Sequence, residues 1–281
     1  MKSYLTGVYE KAFPEEISIT EMLTEARNAG FDFFEINIDR TEQRISRVYD
    51  PHFNETVKNA VSESGLPVRS LGLSALGTYT LGHPDNSISS RGMDIFRHTV
   101  EFAEDLGIRL IQIPGADMPK FDPRSEATHE RFMDNLQSAV SFASSRGVMI
   151  ALENMENDYM DTAEKSRKTT DLINSPYLQL YLDSGNITNA HANNMPAILK
   201  DLDFAANRLA AFHFKEVTPV RYGGLFYGDG WVNFEPIAKK AYALGARRFT
   251  MEYWYTGNTG WRDDLNKARQ YCDTWLAESE A

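Results

Sequence analysis

The chain has 281 residues, 42% hydrophobic, 12% aromatic and 25% charged, which is ordinary globular composition and excludes disordered, collagenous and coiled-coil chains. Its 29 Lys and Arg stand against 40 Asp and Glu, a net charge of −11, which repels phosphate backbones and anionic headgroups and argues against nucleic acid and membrane surfaces as partners. No run approaches the roughly 18 apolar residues of a membrane helix. The opening Met1-Lys2-Ser3-Tyr4-Leu5-Thr6-Gly7 has no apolar signal core, and the single Cys272 excludes disulfide scaffolds and Cys-rich zinc sites. The expectation is a cytoplasmic enzyme, one domain over 1–281.

A strand-like run at 4–9 opens the chain. Ser18-Ile19-Thr20-Glu21 then reads as a capping box ahead of Met22, Leu23 and Ala26. That helix stops at Gly30, and the apolar run Phe31-Asp32-Phe33-Phe34-Glu35-Ile36 follows. Asp50-Pro51 starts the next helix, which Gly65 ends before Leu66-Pro67-Val68. Ile95, Val100, Phe102, Ala103 and Leu106 form one helical face, closed by Gly107 before the run at 108–113. Asp122-Pro123 reads as another helix start, with Phe132, Leu136, Val140 and Ala143 as its apolar face and Gly147 leading into 148–152. Further strand runs lie at 178–182 and 209–214, and Gly245 precedes Ala246-Arg247-Arg248-Phe249. Glycine just past a helix takes the left-handed conformation that other residues resist, so each marks a helix-to-strand junction. Eight such units predict an α/β fold, a single-domain (β/α)8 TIM barrel. An open doubly wound sheet would announce a Gly-rich phosphate turn after its first strand, and Gly7-Val8-Tyr9-Glu10-Lys11 is not one.

Barrel active sites gather where strands end. Here the last four strands end Leu152-Glu153-Asn154, Leu182-Asp183-Ser184, Phe212-His213-Phe214-Lys215 and Met251-Glu252-Tyr253. Singly, each reads more readily as a capping, salt-bridging or packed residue than as a ligand. Together, three carboxylates on one rim repel one another unless a cation intervenes, and one imidazole completes a divalent-metal set. Oxygen-rich donors with one His predict a single divalent ion, Mn2+ first, then Zn2+, with Co2+ and Mg2+ also accommodated. Tyr9, Tyr79, Phe226, Tyr227, Trp231, Tyr253 and Trp254 fall on the same rim, either shielding a substrate from water or packing barrel to helix. The remaining histidines, His52, His83, His98, His129 and His191, fall in helices or loops as structural or surface residues.

Nearly end to end, the chain resembles the xylose-isomerase-like barrel superfamily, and within it the L-ribulose-5-phosphate (L-xylulose-5-phosphate) 3-epimerases. The residues that carry this are Gly7-Val8-Tyr9-Glu10-Lys11-Ala12, Gly30-Phe31-Asp32-Phe33 with Glu35, Leu73-Ser74-Ala75, Gly107-Ile108-Arg109, Asp183 with Gly185-Asn186, His213-Phe214-Lys215 and the Gly228-Asp229-Gly230 loop with Phe234. The resemblance implies that Glu153, Asp183, His213 and Glu252 hold the metal, and that Glu153 and Glu252 are the acid–base pair inverting C3 of a ketose through an enediolate. It also implies Tyr9, Lys11, Asn186 and Lys215 as substrate contacts, a small-molecule ketose or ketose phosphate as partner, and a homodimer. Asn186 stands where many relatives carry His, so it positions rather than titrates. Leu76-Gly77-Thr78 replaces a basic His-Arg-Arg cluster of relatives, which leaves open where a phosphate binds or whether there is one. Lys11, Lys215 and Arg221 are then the cations available to it. An aldose–ketose isomerase or inosose-type dehydratase would use the same ligands. A metal-dependent DNA-repair endonuclease calls for more His and a basic face, and a non-catalytic sugar-binding barrel has no use for two flanking glutamates.

Overall fold

The structure, a computed structural model, describes residues 3–277. Eight parallel strands close into one barrel in chain order: β1 (Leu5–Tyr9), β2 (Phe33–Asn37), β3 (Val68–Gly72), β4 (Leu110–Pro114), β5 (Met149–Glu153), β6 (Leu178–Asp183), β7 (Leu209–Lys215) and β8 (Arg248–Glu252). Around them run α1 (Ile19–Asn28), α2 (Glu42–Ile45), α3 (Pro51–Ser64), α4 (Asn86–Asp105), α5 (Glu126–Ser145), α6 (Ala163–Ile173), α7 (Ser184–Ala190), α8 (Met195–Leu202), α9 (Phe234–Ala243) and α10 (Trp261–Leu276). The single-domain (β/α)8 architecture read from the pattern is the one observed. No helix among the described residues is long and apolar enough to cross a membrane.

The junction glycines behave as their positions require: Gly30, Gly65, Gly107, Gly147 and Gly245 all have positive φ. Ser18 accepts from the Glu21 amide and Asp50 from that of His52, so both helix starts stand where expected. Asp122-Pro123 is not a helix start. The helix begins three residues later, where Ser125 and Thr128 form a reciprocal capping box and so satisfy two amides at once. The third strand also lies further along than Leu66-Pro67-Val68 suggested. Its polar Arg69 and Ser70 mask it, because Ser70 points into the barrel and donates to Glu35.

Strand side chains alternate between barrel interior and helix layer. Ile150 and Leu152, Leu180 and Leu182, Phe212 and Phe214, and Phe249 and Met251 face outward into the main apolar core shared with the helices. Their alternates face inward, where Leu110, Ala151, Tyr181 and Ala211 form a separate small core. Continuing that inward parity to the carboxyl ends gives Glu153, Asp183, His213, Lys215 and Glu252, so the same pleat that packs the barrel delivers the polar residues to one end. On the opposite wall, a β-carbon added at Gly7 would clash severely with the nearest ring atoms of Phe33. Both lie in the closed β1–β2 seam with little room to yield, so Gly7→Ala is expected to destabilise the fold by about 1–3 kcal/mol, read as a lower denaturant midpoint at unchanged slope.

Candidate active site

One ligand atom each from Glu153, Asp183, His213 and Glu252 comes together with no two more than 4.8 Å apart, and all four residues are buried. The inward parity of four neighbouring strands places them, with Asp183 level with His213 and Lys215 level with Glu252 in the strand register. His213 Nδ1 lies between two of the carboxylates, 3.1 Å from Glu153 Oε1 and 2.8 Å from Glu252 Oε2. Its Nε2–H donates to Glu35 Oε1 at 2.6 Å. Glu35 also accepts from Ser70 Oγ and Tyr181 Oη, each at 2.5 Å, and the Tyr181 ring packs 4.3 Å from the imidazole. A carboxylate on the far nitrogen fixes both the ring orientation and the tautomer, leaving Nδ1 to face the cluster.

Each carboxylate has its own support. Gln112 Nε2 donates to Glu153 Oε2 at 2.5 Å. Asp183 Oδ1 accepts from the Asn186 amide at 2.6 Å and lies 3.3 Å from Lys215 Nζ, while Asn154 Oδ1 accepts from the Asp183 amide at 2.7 Å. Asp183 Oδ2 is buried with no hydrogen-bond partner. An orphaned carboxylate oxygen facing two more carboxylates and an imidazole nitrogen is the environment a divalent cation satisfies, and the donor set fits one.

The electrostatics follow from packing so many charges out of water. Burial pushes the Asp183 carboxyl up to about 8, against the pull of Lys215. Burial would raise Glu252 as well, but Lys215 and His213 together outweigh it and bring it down to about 2. Glu153 is raised, first by burial and then by Glu252, with the His213 contact opposing. Burial opposes charge on His213, yet its surroundings, Tyr181, Glu35 and Glu252 among them, hold it well above its ordinary value. Lys215 is likewise held high despite burial, chiefly by Asp183 and Glu252. Two buried cations therefore offset part of the carboxylate charge.

A cavity of about 240 Å³ opens over this cluster, and Tyr9, Lys11, Arg40, Gln112, Lys215 and Trp254 help line it. Three of the four expected substrate contacts, Tyr9, Lys11 and Lys215, are on its wall. The fourth, Asn186, is not. It stands behind Asp183 on α7, its amide spent on Asp183 and its Nδ2 donating to the Asn154 carbonyl at 2.7 Å. Arg221 is also remote, its guanidinium bonded to the carbonyls of Gly223 and Gly224. Tyr9 is buried, with its hydroxyl 3.2 Å from Ser74 Oγ and its phenol raised by burial, so it remains a neutral donor. Of the rim aromatics, Tyr9 and Trp254 face the cavity. Tyr227 and Tyr253 pack with Phe226, Tyr79 donates to Glu42, and Trp231 donates to Asn189.

Glu35, Gln112 and Arg40 were not expected at the site as functional groups. The signal for Glu35 was a charge inside the apolar run Phe33-Phe34-Glu35-Ile36. Glu216, next to Lys215, is another buried carboxylate, and it organises the loop after β7 by accepting from the amides of Val217, Gly228 and Val232 at 3.1, 2.9 and 3.1 Å. Hydrogen bonds to an ionised group contribute about 1.5–3 kcal/mol each. Glu216→Ala should therefore cost roughly 2 kcal/mol or more and speed proteolytic cleavage between residues 217 and 232. Unchanged melting and cleavage would show the loop to be held by other contacts.

Comparison with known proteins agrees with this geometry. The xylose isomerase-like TIM barrel family matches residues 23–271. The chain is 32% identical over 275 residues to L-ribulose-5-phosphate 3-epimerase UlaE of Escherichia coli O17:K52:H18 (strain UMN026 / ExPEC), covering 97% of this chain and 95% of that one. Among solved structures it resembles D-allulose 3-epimerase from Methylomonas sp., with TM-score 0.79 at 20% identity over 98% of this chain and 99% of that one. It also resembles an L-ribulose 3-epimerase, with TM-score 0.78 at 19% identity over 99% and 96%. These named proteins are ketose 3-epimerases, which are isomerases. The chain belongs to the xylose isomerase-like TIM barrel family.

Proposed function

We propose that this protein is a metal-dependent ketose 3-epimerase that interconverts L-ribulose 5-phosphate and L-xylulose 5-phosphate, with Glu153 and Glu252 as the proton-transfer pair. The observation that carries the reading is the placement of those two glutamates on either side of His213 Nδ1, at 3.1 and 2.8 Å, beneath a cavity of sugar size. The names of the relatives support the substrate.

Glu153, Asp183, His213 and Glu252 would hold one divalent ion, Mn2+ by preference for a set of three carboxylates and one imidazole. When bound, it supplies Lewis-acid polarisation of the ketose carbonyl and charge for the developing enediolate. The chain's own residues do the rest. One glutamate takes the C3 proton, and the other returns a proton to the opposite face, which inverts the centre. Gln112 holds Glu153 in orientation, as Asn186 and Asn154 hold Asp183. Lys215, buried and cationic, offsets negative charge accumulating beside Asp183. Tyr9 and Trp254 narrow the cavity and limit the water that could quench an enediolate. The proposal extends to a homodimer, which light scattering would read as twice the chain mass.

The test is product analysis on a panel of phosphorylated and free ketoses. Inversion at C3 of L-ribulose 5-phosphate, at a higher kcat/KM than for L-ribulose, is the expected result. Aldose formation or loss of water in its place would assign the site to an isomerase or a dehydratase.

A further inference from the structure

We propose that Arg40 is the group that binds the substrate phosphate, in a subsite formed where the segment after β2 meets the segment after β3. The inference rests on the ketose-phosphate reading above and adds to it the residue that would confer phosphate selectivity.

A dianion needs a cation that no carboxylate already holds. Lys215 lines the cavity but is buried against Asp183, 3.3 Å away. Lys11 lines it too, but its ammonium lies 2.8 Å from Asp39 Oδ2. Arg221 is bonded to its own loop and lines neither the main cavity nor the one beside it. Arg40 lines both, and among the described residues its guanidinium has no hydrogen bond or ion pair. The second cavity, of about 390 Å³, shares Arg40, Gly77, Pro114, Met155 and Glu156 with the first, so the guanidinium stands where the two adjoin.

Two local features shape its surroundings. The Arg40 backbone amide donates to Asp39 Oδ1 at 2.9 Å while Asp39 Oδ2 holds Lys11, so the carboxylate fixes the backbone that carries Arg40 and leaves its guanidinium unpaired among the described residues. Opposite Arg40 stands Gly77. A β-carbon there would lie 3.5 Å from Arg40 Nη2, an ordinary contact, and Gly77 has no positive φ. Neither backbone nor sterics therefore demands glycine at this position. What glycine does is leave the space beside the guanidinium open to a ligand. A planar fork of N–H donors matches phosphate oxygens two at a time, which a single ammonium does not. Asp39 and Glu156 border the same space, and the Arg40 guanidinium offsets the repulsion these carboxylates would exert on a dianion.

The test compares wild-type, Arg40→Ala and Arg40→Lys holoenzymes on L-ribulose 5-phosphate and L-ribulose. The ratio of kcat/KM for the phosphorylated over the free sugar should fall about 10- to 100-fold in Arg40→Ala. The fall should lie mainly in KM, and Arg40→Lys should recover part of it. A ratio unchanged within about twofold overturns the assignment. Calorimetric titration with inorganic phosphate reads the subsite without catalysis: binding to wild type should be lost in Arg40→Ala. Binding that survives the substitution, or no binding to wild type, also overturns it. If wild type inverts C3 of neither sugar, the epimerase reading fails on its own account and the titration still decides the role of Arg40.

Discussion

Glu153→Gln and Glu252→Gln should each lower kcat by about three orders of magnitude or more while leaving the circular dichroism spectrum unchanged, since a positioned proton-transfer group is worth roughly 10²- to 10⁴-fold. Glutamine keeps the length and planarity of glutamate, and at position 153 its carbonyl oxygen can still accept from Gln112, so the barrel end retains its shape. What is lost is a titrating oxygen and one anionic metal donor. A two-base mechanism adds a sharper expectation. With one glutamate gone, the other can still remove and return the C3 proton of the epimer it faces. Each variant should therefore exchange C3 hydrogen with solvent in one epimer and not the other, without net inversion. A variant that keeps wild-type turnover would remove that glutamate from the chemistry.

The second large effect concerns the metal. Protein purified without chelator should carry close to one divalent ion per chain, and an Asp183→Ala, His213→Ala double variant should carry almost none. Removing Asp183 takes away a carboxylate oxygen that is buried with no hydrogen-bond partner, and removing His213 takes away the cluster's nitrogen. The remaining pair, Glu153 and Glu252, is then left with the nearby cations Lys215 and Lys11, which favours internal ion pairing over a bound cation. Full occupancy in the double variant would falsify the ligand assignment. Uptake of the metal by wild type should also release protons, since His213 and Asp183 are both held above their ordinary values and must lose protons to become ligands. Calorimetry in buffers of different ionisation enthalpy reads that release. Its absence would mean that the imidazole is already neutral.

The four-residue cluster was legible in the sequence because barrel geometry converts a linear rule into a spatial one. Residues that end apolar runs on neighbouring parallel strands must meet at one rim, and Glu153, Asp183, His213 and Glu252 do so. The junction glycines were legible for a local reason, their backbone conformation. Glu35 was harder to place. Inside an apolar run a carboxylate reads as an irregularity, and only barrel closure shows that its alternating face points inward to Ser70, Tyr181 and His213. Arg40 and Gly77 lie on segments after different strands, and nothing in the local pattern announces that they line the same cavities. Asn186 shows the converse: its position in the sequence suggested the cavity, but an α7 amide given to Asp183 turns it behind the ligand. Asp122-Pro123 carried a sound capping signal that lost to the stronger reciprocal box at Ser125 and Thr128.

The measurement that bears most directly on the account is the fate of hydrogen at C3 when the enzyme runs in D2O. Proton removal by one glutamate and return by the other requires that solvent deuterium appear at C3 of the product from the first turnover, with C1 unlabelled and the carbon skeleton intact. Proton and carbon NMR of the product resolve the two positions. Product inverted at C3 but carrying no deuterium there would contradict direct proton transfer by Glu153 and Glu252, and deuterium at C1 of an aldose would show the site to be an isomerase.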